Sequence, residues 1–328
     1  MRPAAVILAL TALAAVIAAP FFVYPVLLMT VLCFALFASA FNLLLGYVGL
    51  LSFGHAMFFG GGAYVAGYLI KDLGWPTELG LAGAVLAAAV VGAFLGAVSI
   101  RRHGIYFAMI TLAFSQMIFF IFLQAPFTGG ENGMQGIPRR PLFGFLPIEN
   151  PIAFYYVVLG VTAAGLFLVY RIVNSPFGEL LKAIRDNEAR VDSLGYDINR
   201  YKLLAFTLSA GLAGLAGGLK ALVYQFATLS DASWAVSGEV ILMTLLGGLG
   251  TLAGPFFGAG IIILINDLLA GTGEWALVLQ GVIFLVVILF FRQGFVGLVR
   301  DALARQAAWR LRRRGCTQMT PGSGRGLR

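Results

Sequence analysis

The most informative stretch of this chain covers residues 174–202 and reads NSPFGELLKAIRDNEARVDSLGYDINRYK. Ten of the chain's 22 basic and 14 acidic side chains fall within it, whereas the sequence on either side is apolar enough for a lipid bilayer. One alternative is an amphipathic segment that rests on lipid headgroups, but a uniformly basic face would be typical of that role. Mixed charge favours a surface that a soluble partner contacts, and we call this stretch the island.

Local signals predict short helices within the island. Ser175 and Pro176 form a helix start, with serine as the N-cap and proline at the first helical position. Gly195 is suited to end the helical part, and a break near Asn187 would give two short helices lying across the membrane face. The apolar positions form an intermittent stripe, made of Leu180, Leu181, Ile184, Val191 and Leu194.

Composition indicates an integral membrane protein. Hydrophobic residues make up 60% of the 328 residues and charged residues 11%, with a mean hydropathy of +0.93. A soluble domain carries roughly a quarter charged residues. The two cysteines, Cys33 and Cys316, are too isolated for a disulfide framework or a metal site. We expect no cofactor, no metal and no nucleic-acid partner.

The apolar runs predict about ten membrane helices (eight to ten) of roughly 20 residues each. They cover residues 4–19, 26–46, 52–70, 79–100, 105–124, 151–171, 203–225, 237–250, 253–269 and 276–291. The first run could be a signal peptide, although a retained span fits the loop charges better. The eighth and ninth runs are short and glycine-rich where they meet, so a broken or re-entrant arrangement is open there.

Loop charges predict the orientation, since basic loops stay in the cytoplasm. Basic residues occur at Arg2, at 101–102, in the island and from Arg292 onward, whereas acidic residues dominate the intervening loops. Ten spans place both termini in the cytoplasm, with the pair at 139–140 as the exception. The expected organisation is a single all-α permease domain over 1–300, with an ordered outer loop at 124–151 and a flexible basic tail at 301–328.

A few polar side chains lie inside the apolar runs and are candidates for lining a translocation pathway. Glycines at 46, 49 and 54 would allow a break between the second and third spans, and half-helix ends at membrane depth hold ligands in transporters. Helix-to-helix hydrogen bonding is the competing explanation, favoured for His55 and equally weighted for Thr111 and Gln116. The candidates are Asn42, Ser52, His55, Thr111 and Gln116. Lys220 and Glu239 are interpreted as reaching toward the interface.

The sequence lacks the common motifs for ATP binding and for catalysis. It contains no G-x-x-x-x-G-K-[ST] phosphate loop, no HExxH and no paired carboxylates within the spans. A secondary transporter would need buried acids or histidines for ion coupling, and an intramembrane enzyme would need a nucleophile with its base. A transport subunit driven by another chain fits better than either.

Five ordered blocks resemble branched-chain amino acid ABC transporter permeases of the LivM type. The island with the helix after it (175–221) is similar to the coupling loop of that family, and FNLLLGYVGLLSFGHAMFFGGGAYVAGYL at 41–69 is similar to its N-terminal signature. The other three blocks cover 101–117, 128–138 and 238–259. His103 and Glu131 depart from the residue types expected in these blocks, which leaves the substrate open.

The resemblance implies the non-catalytic half of an importer in the bacterial inner membrane, with a permease fold like that of type II importers. It implies a second related permease, two ATP-hydrolysing subunits and an extracytoplasmic solute-binding protein as partners. The solute would be a branched-chain or related hydrophobic amino acid, with urea, amides or small carboxylates as alternatives. The residues it assigns to ATPase coupling are Leu180, Leu181, Lys182, Ala183, Ile184, Arg185, Asp186, Asn187 and Glu188.

Overall fold

A computed structural model describes residues 18–141 and 150–269, together with residues 16, 271, 275, 278–279, 281–282 and 285. The predicted spans 4–19 and 276–291 and the tail at 301–328 lie mostly or wholly outside the described residues. So does part of the outer loop, at 142–149.

Helices dominate the described residues. Those that match the apolar runs are α1 (Pro25–Asn42, continued by a π-helical turn at Leu43–Val48), α2 (Ala56–Lys71), α3 (Thr77–Ser99), α4 (Ile105–Gln124), α5 (Pro151–Val173), α8 (Ile198–Tyr224), α9 (Trp234–Gly247) and α10 (Gly254–Leu269). The island forms α6 (Pro176–Asp186) and α7 (Glu188–Ser193), and two short strands, β1 (Met134–Gln135) and β2 (Phe226–Ala227), pair antiparallel.

Each of the eight apolar runs between residues 26 and 269 corresponds to one helix. Five helices are long and apolar enough to cross a membrane: Pro25–Val48, Thr77–Ser99, Ile105–Gln124, Pro151–Val173 and Ile198–Tyr224. The predicted all-α membrane class is therefore confirmed, whereas the total of ten spans and the orientation of the termini stay predictions.

The chain alternates between two ends of the bundle. Helices α1, α3, α5 and α9 finish at the end that carries α6 and α7, which we call the island end. Helices α2, α4, α8 and α10 run toward the other end, which we call the opposite end. The strand pair and the loop that follows α4 lie at the opposite end.

Helix α8 is the centre of the bundle, with extensive contacts to α1, α2 and α3. Small residues make these contacts close. A Cβ on Gly217 would overlap the carbonyl oxygen of Phe59, and one on Gly214 would overlap the side chain of Ala88. Backbones that approach in this way are typical of helices packed in lipid, where packing rather than water exclusion holds the helices together.

The predicted break between the second and third spans is confirmed. Gly49 takes a left-handed conformation (φ +82°), and α2 begins at Ala56, four residues later than the apolar run suggested. The reason is that backbone amides at this point bond to side chains instead of to preceding carbonyls, two of them on neighbouring helices. The Phe53 amide donates to Thr111 Oγ1 over 3.2 Å, and the Ala56 amide donates to Ser237 Oγ over 2.9 Å.

The eighth and ninth runs form a helical hairpin, α9 and α10, whose turn lies at the island end. With about 1.5 Å of rise per residue, the 14 residues of α9 extend only about 21 Å, less than the roughly 30 Å of a bilayer core. Chain outside the α-helices, including a short 3-10 helix at Leu229–Ala232, makes up the difference between α8 and α9. Ala232 in that segment contacts Gly60, which lies about 16 Å along α2 from Lys71, so this irregular segment descends into the bundle.

The loop after α4 explains why two arginines lie at the opposite end. Arg139 donates from Nε to the Leu222 carbonyl (3.0 Å) and from Nη2 to the Val223 carbonyl (2.6 Å), and its guanidinium lies 4.6 Å from the centre of the Phe154 ring. These carbonyls belong to the last turn of α8, where a cation satisfies unpaired acceptors. Arg140 donates to the Gly74 carbonyl. Both side chains therefore fasten the loop over 125–141 to the helices beside it.

Candidate functional site

Local sequence signals determine where the two helices of the island begin and end. Ser175 Oγ accepts from the Gly178 amide, and Pro176 occupies the first helical position of α6. Asn187 is extended, separates the two helices, and caps α7 by accepting from the Arg190 amide. Gly195 follows α7 in a left-handed conformation. The serine cap, the break and the glycine end are confirmed.

Most of the apolar stripe of the island faces inward. Leu181 and Ile184 are fully buried, and Val191 is also buried, because α6 packs on the π-helical turn of α1. Leu181 and Ile184 therefore contact their own bundle and are not available as an apolar anchor for a partner. Leu194, counted in the same stripe, is 69% exposed.

Arg185 joins the island to the membrane helices. Its Nη1 donates to the carbonyl of Gly46 in the π-helical turn, and a Cβ on Gly250, in the turn between α9 and α10, would lie 3.3 Å from Nη1. A Cβ on Gly49 would lie 3.0 Å from Arg185 Cγ. One side chain of α6 thus contacts both the end of α1 and the α9–α10 turn.

Glu188 forms a second connection. One of its carboxylate oxygens accepts from Lys202 Nζ at 2.6 Å, and the other lies 3.5 Å from His103 Nδ1. Lys202 is 1% exposed at the start of α8, so its charge requires the carboxylate beside it. Glu188 was assigned to ATPase coupling, and in the structure it also ties α7 to α8 and to the α3–α4 loop. That three-way contact could not be predicted from sequence spacing.

The remaining coupling candidates form the outer surface of α6. Ala183, Arg185, Asp186 and Asn187 are exposed, whereas Leu180 and Lys182 are half-buried. Lys182 pairs with Glu179 at 2.8 Å on the same helix. This surface is small and polar, and a second protein could cover it without unfolding the island.

Three of the five pathway candidates meet at one place. Ser52, His55 and Thr111 lie around the break between α1 and α2, and all three are buried. Ser52 Oγ accepts from the Gly54 amide over 3.3 Å, and Thr111 Oγ1 bonds both the Phe53 amide and the Ala108 carbonyl. The hydroxyl groups of Ser52 and Thr111 provide hydrogen-bond partners for backbone amides at the break. Backbone that is not helical needs such partners inside a membrane bundle.

His55 forms the helix-to-helix hydrogen bond that we favoured for it. Its Nε2 lies 2.9 Å from Ser209 Oγ, which also bonds the Ala40 carbonyl. Phenylalanine rings surround the imidazole, namely those of Phe37, Phe41, Phe58 and Phe206. Its Nδ1 is buried and has no partner among the described residues. An enclosed ring of this kind fits a structural role better than contact with a solute.

Asn42 and Gln116 lie apart from that cluster. Asn42 donates to the Thr251 carbonyl over 2.8 Å and accepts from the Gly250 amide over 3.0 Å, so it fastens the α9–α10 turn to the end of α1. Gln116 is half-buried on α4 and has no hydrogen bond to the described residues. Of the five candidates, Gln116 is therefore the one whose side chain forms no hydrogen bond to the described residues, which leaves its amide for water, a solute or a partner.

Sequence reasoning missed a polar cavity of about 300 Å³ toward the opposite end, between α1, α8, α9 and α10. Lys220, Glu239, Asn266 and Asp267 contribute its charged and amide groups, and Leu27 and Ile263 contribute apolar walls. Lys220 and Glu239 were interpreted as reaching toward the interface, with a pair between them left open. The available signal was that these polar residues recur on three successive apolar helices, but the sequence does not show which faces of those helices meet.

Neighbouring contacts define the charges around this cavity. Lys220 forms an ion pair with Asp231, in which the two side chains are 14% and 7% exposed, and Asn266 donates to Glu239 over 3.2 Å. Outside the membrane helices, burial lowers the pKa of Arg139, yet an arginine stays charged in proteins. No group of histidine, cysteine, aspartate and glutamate within the described ranges could hold a metal ion.

Comparison with known proteins agrees with this architecture. The family model described as branched-chain amino acid transport system / permease component matches residues 23–291. The chain is 31% identical over 278 residues to the high-affinity branched-chain amino acid transport system permease protein LivM of Salmonella typhimurium, and equally so to that of Escherichia coli. These matches cover 77% of this chain and 65% of each relative, so the chain spans about two-thirds of their length.

More distant relatives have other names. The chain is 26% identical over 223 residues to the ribose import permease protein RbsC of Escherichia coli, covering 63% of this chain and 67% of RbsC. No solved structure matches the chain. The family model covers most of the sequence, including the break after α1, the island and the α9–α10 hairpin, and the protein therefore belongs to the permease components of branched-chain amino acid transport systems.

Proposed function

We propose that this protein is one of two permease subunits of an ATP-driven importer, and that it forms with the second permease a path for branched-chain or related hydrophobic amino acids. The observation that carries the proposal is the island. Its exposed polar surface lies directly on the contacts of Arg185 with Gly46 and the α9–α10 turn. A force applied to α6 from outside would be transmitted to α1, α9 and α10.

Energy would come from other chains. The sequence contains no phosphate loop, so another subunit would hydrolyse ATP. That subunit would dock on the exposed surface formed by Ala183, Asp186 and Asn187. Two such subunits would serve the two permeases, with a solute-binding protein delivering the amino acid at the opposite end. The island would then be cytoplasmic and the loop at 125–141 extracytoplasmic, in the bacterial inner membrane, which the distribution of basic loops supports.

The names of more distant relatives suggest a second class of solute. Relatives include a ribose permease and an autoinducer 2 permease, the latter LsrC of Klebsiella pneumoniae with 30% identity over 189 residues, covering 55% of this chain and 52% of LsrC. A shared fold serves several solutes, because specificity depends on the site and not on the fold. The charged cavity toward the opposite end favours an ionic solute over a sugar.

The test is reconstitution. The chain, purified with its co-expressed neighbours and placed in proteoliposomes, is expected to bring ATP-hydrolysing subunits with it and to accumulate leucine, isoleucine or valine only when ATP and the binding protein are present. Accumulation without ATP, or purification without any ATPase, would contradict the proposal. Accumulation of ribose and not of amino acids would support the alternative solute.

A further inference from the structure

An open groove follows the seam between α3 and α8, and α5 forms its far wall. About midway along these helices the groove widens into a cavity of about 480 Å³, whose described lining is apolar except for Thr207. The cavity exists because α5 packs on α1 and contacts α8 only slightly. Leu168 on α5 and Leu208 on α8 line it and are 47% and 38% exposed. This apolar surface is therefore accessible from the bilayer.

A second cavity lies in the same seam at the island end. It has a volume of about 310 Å³ and lies between the end of α3 and the start of α8. Residues four apart share one face of a helix, and such a series on α8 connects the two cavities. Leu203 lines the cavity at the island end, and Thr207, Gly211 and Leu215 line the apolar one. The two cavities are thus parts of one groove, which extends about 22 Å from Arg200 to Leu215.

The charge of the groove is confined to the island end. Arg101, Asp197 and Arg200 line the cavity there. Arg200 pairs with Asp197 at 2.7 Å. The Arg101 side chain is exposed and forms no ion pair or hydrogen bond with the described residues. One positive charge is therefore left without a partner at the mouth of an apolar groove.

This order of charge and apolar surface matches a phospholipid. One leaflet contributes roughly 15 Å of hydrocarbon, half of the roughly 30 Å core of a bilayer. A groove of about 22 Å that begins at the membrane surface is therefore long enough for a headgroup and most of an acyl chain. Guanidinium groups bind phosphate well because their donors match its geometry, and basic pockets between membrane helices bind anionic headgroups.

From this geometry we propose that the groove binds one anionic phospholipid of the leaflet at the island end. Its phosphate lies at Arg101 and Arg200, and one acyl chain covers Leu168 and Leu208. A soluble phosphate would use the arginines and leave the apolar part of the groove empty. A helix of another subunit would fill the apolar part without needing the positive charge. The site requires only that the chain spans a membrane, so it is independent of the solute and of ATP.

A photoactivatable phosphatidylglycerol, with a diazirine midway along one acyl chain, tests the site. It is added to proteoliposomes that contain the full chain with its co-purified subunits, and mass spectrometry gives the yield and position of the adducts. We expect adducts on the groove faces of α5 and α8, near Leu168 and Leu208. Unlabelled phosphatidylglycerol should compete about fivefold better than phosphatidylcholine, as about one extra charge contact predicts. Inorganic phosphate should not compete.

Two pairs of neighbouring residues provide matched variants. Arg101→Gln should lower the adduct yield about fivefold, whereas Arg102→Gln, exposed but outside the groove, should leave it nearly unchanged. Ala164→Phe places a large side chain in the wide part of the groove and should abolish the adducts near Leu208. Ala163→Phe, at the adjacent exposed position of α5 and outside the groove, should preserve them.

Several results would overturn the site. Equal competition by phosphatidylcholine, or equal effects within either pair of variants, would show that the adducts come from ordinary lipid around the protein. Competition by inorganic phosphate would show an anion site that does not depend on a lipid. A photoreactive residue at Leu208 that captures another subunit would show that a protein, and not a lipid, occupies the groove.

Discussion

The guanidinium of Arg185 donates to the carbonyl oxygen of Gly46 across 139 positions of sequence. This bond joins the amphipathic helix of the island to the π-helical turn that ends α1. Charge-assisted bonds of this kind are about twice as strong as neutral ones. The relationship gives a physical route by which an event at the membrane surface reaches the helices inside the membrane.

Arg185→Ala is expected to uncouple the transporter. Loss of the bond to Gly46 removes about 1.5–3 kcal/mol of interaction between α6 and α1, so ATP hydrolysis should continue while uptake per ATP falls several-fold. The measurement is ATPase activity and uptake on the same proteoliposomes. Arg102→Ala, in the exposed loop after α3, is the control, and unchanged uptake with Arg185→Ala would refute the coupling role of this side chain.

Ile184 and Asp186 should behave in opposite ways. Ile184 is fully buried, so Ile184→Ala is expected to destabilise the permease by about 2–5 kcal/mol and to lower its unfolding temperature in detergent. Asp186 is exposed, so Asp186→Arg should leave the unfolding temperature unchanged and reduce binding of the ATPase. If Ile184→Ala keeps full stability but loses the ATPase, Ile184 belongs to the docking surface after all.

Arg139 is predicted to stabilise the opposite end of α8. Arg139→Ala removes two hydrogen bonds to the last turn of that helix and the contact with the Phe154 ring. We expect a loss of about 2–4 kcal/mol in the free energy of unfolding. Arg140→Ala, which removes one exposed bond to Gly74, is the comparison and should cost about 1 kcal/mol or less. Equal losses for both variants would show that the helix end does not depend on Arg139.

Local features of the fold could be predicted from the sequence. Apolar runs gave the helices, Ser175 and Pro176 gave the start of the island, and Gly49 gave the break after α1, because each of these signals acts on neighbouring residues. The start of α2 was predicted too early, because hydropathy does not show the hydrogen bonds that the Phe53 and Ala56 amides form with side chains of α4 and α9.

Contacts between distant residues could not be predicted. The apolar stripe of the island has the same periodicity whether Ile184 faces a partner or its own bundle, and only the tertiary structure decides between them. The two arginines at 139–140 did not fit the predicted distribution of loop charges. A rule that counts charges does not detect that Arg139 donates a hydrogen bond to the Leu222 carbonyl. The charged cavity was missed for the same reason, since Lys220, Glu239 and Asn266 lie on three different helices.

Site-specific photo-crosslinking in intact cells shows directly whether the island contacts an ATP-hydrolysing subunit. A photoreactive residue at Asn187, exposed between α6 and α7, is compared with one at Asn132, exposed in the loop at the opposite end. We expect position 187 to capture an ATP-hydrolysing subunit and position 132 never to do so, and we expect a cysteine at 132 to be labelled only from outside the cell. Capture of the ATPase from position 132, or labelling of that cysteine only from the cytoplasm, would contradict both the docking role of the island and the orientation of the protein.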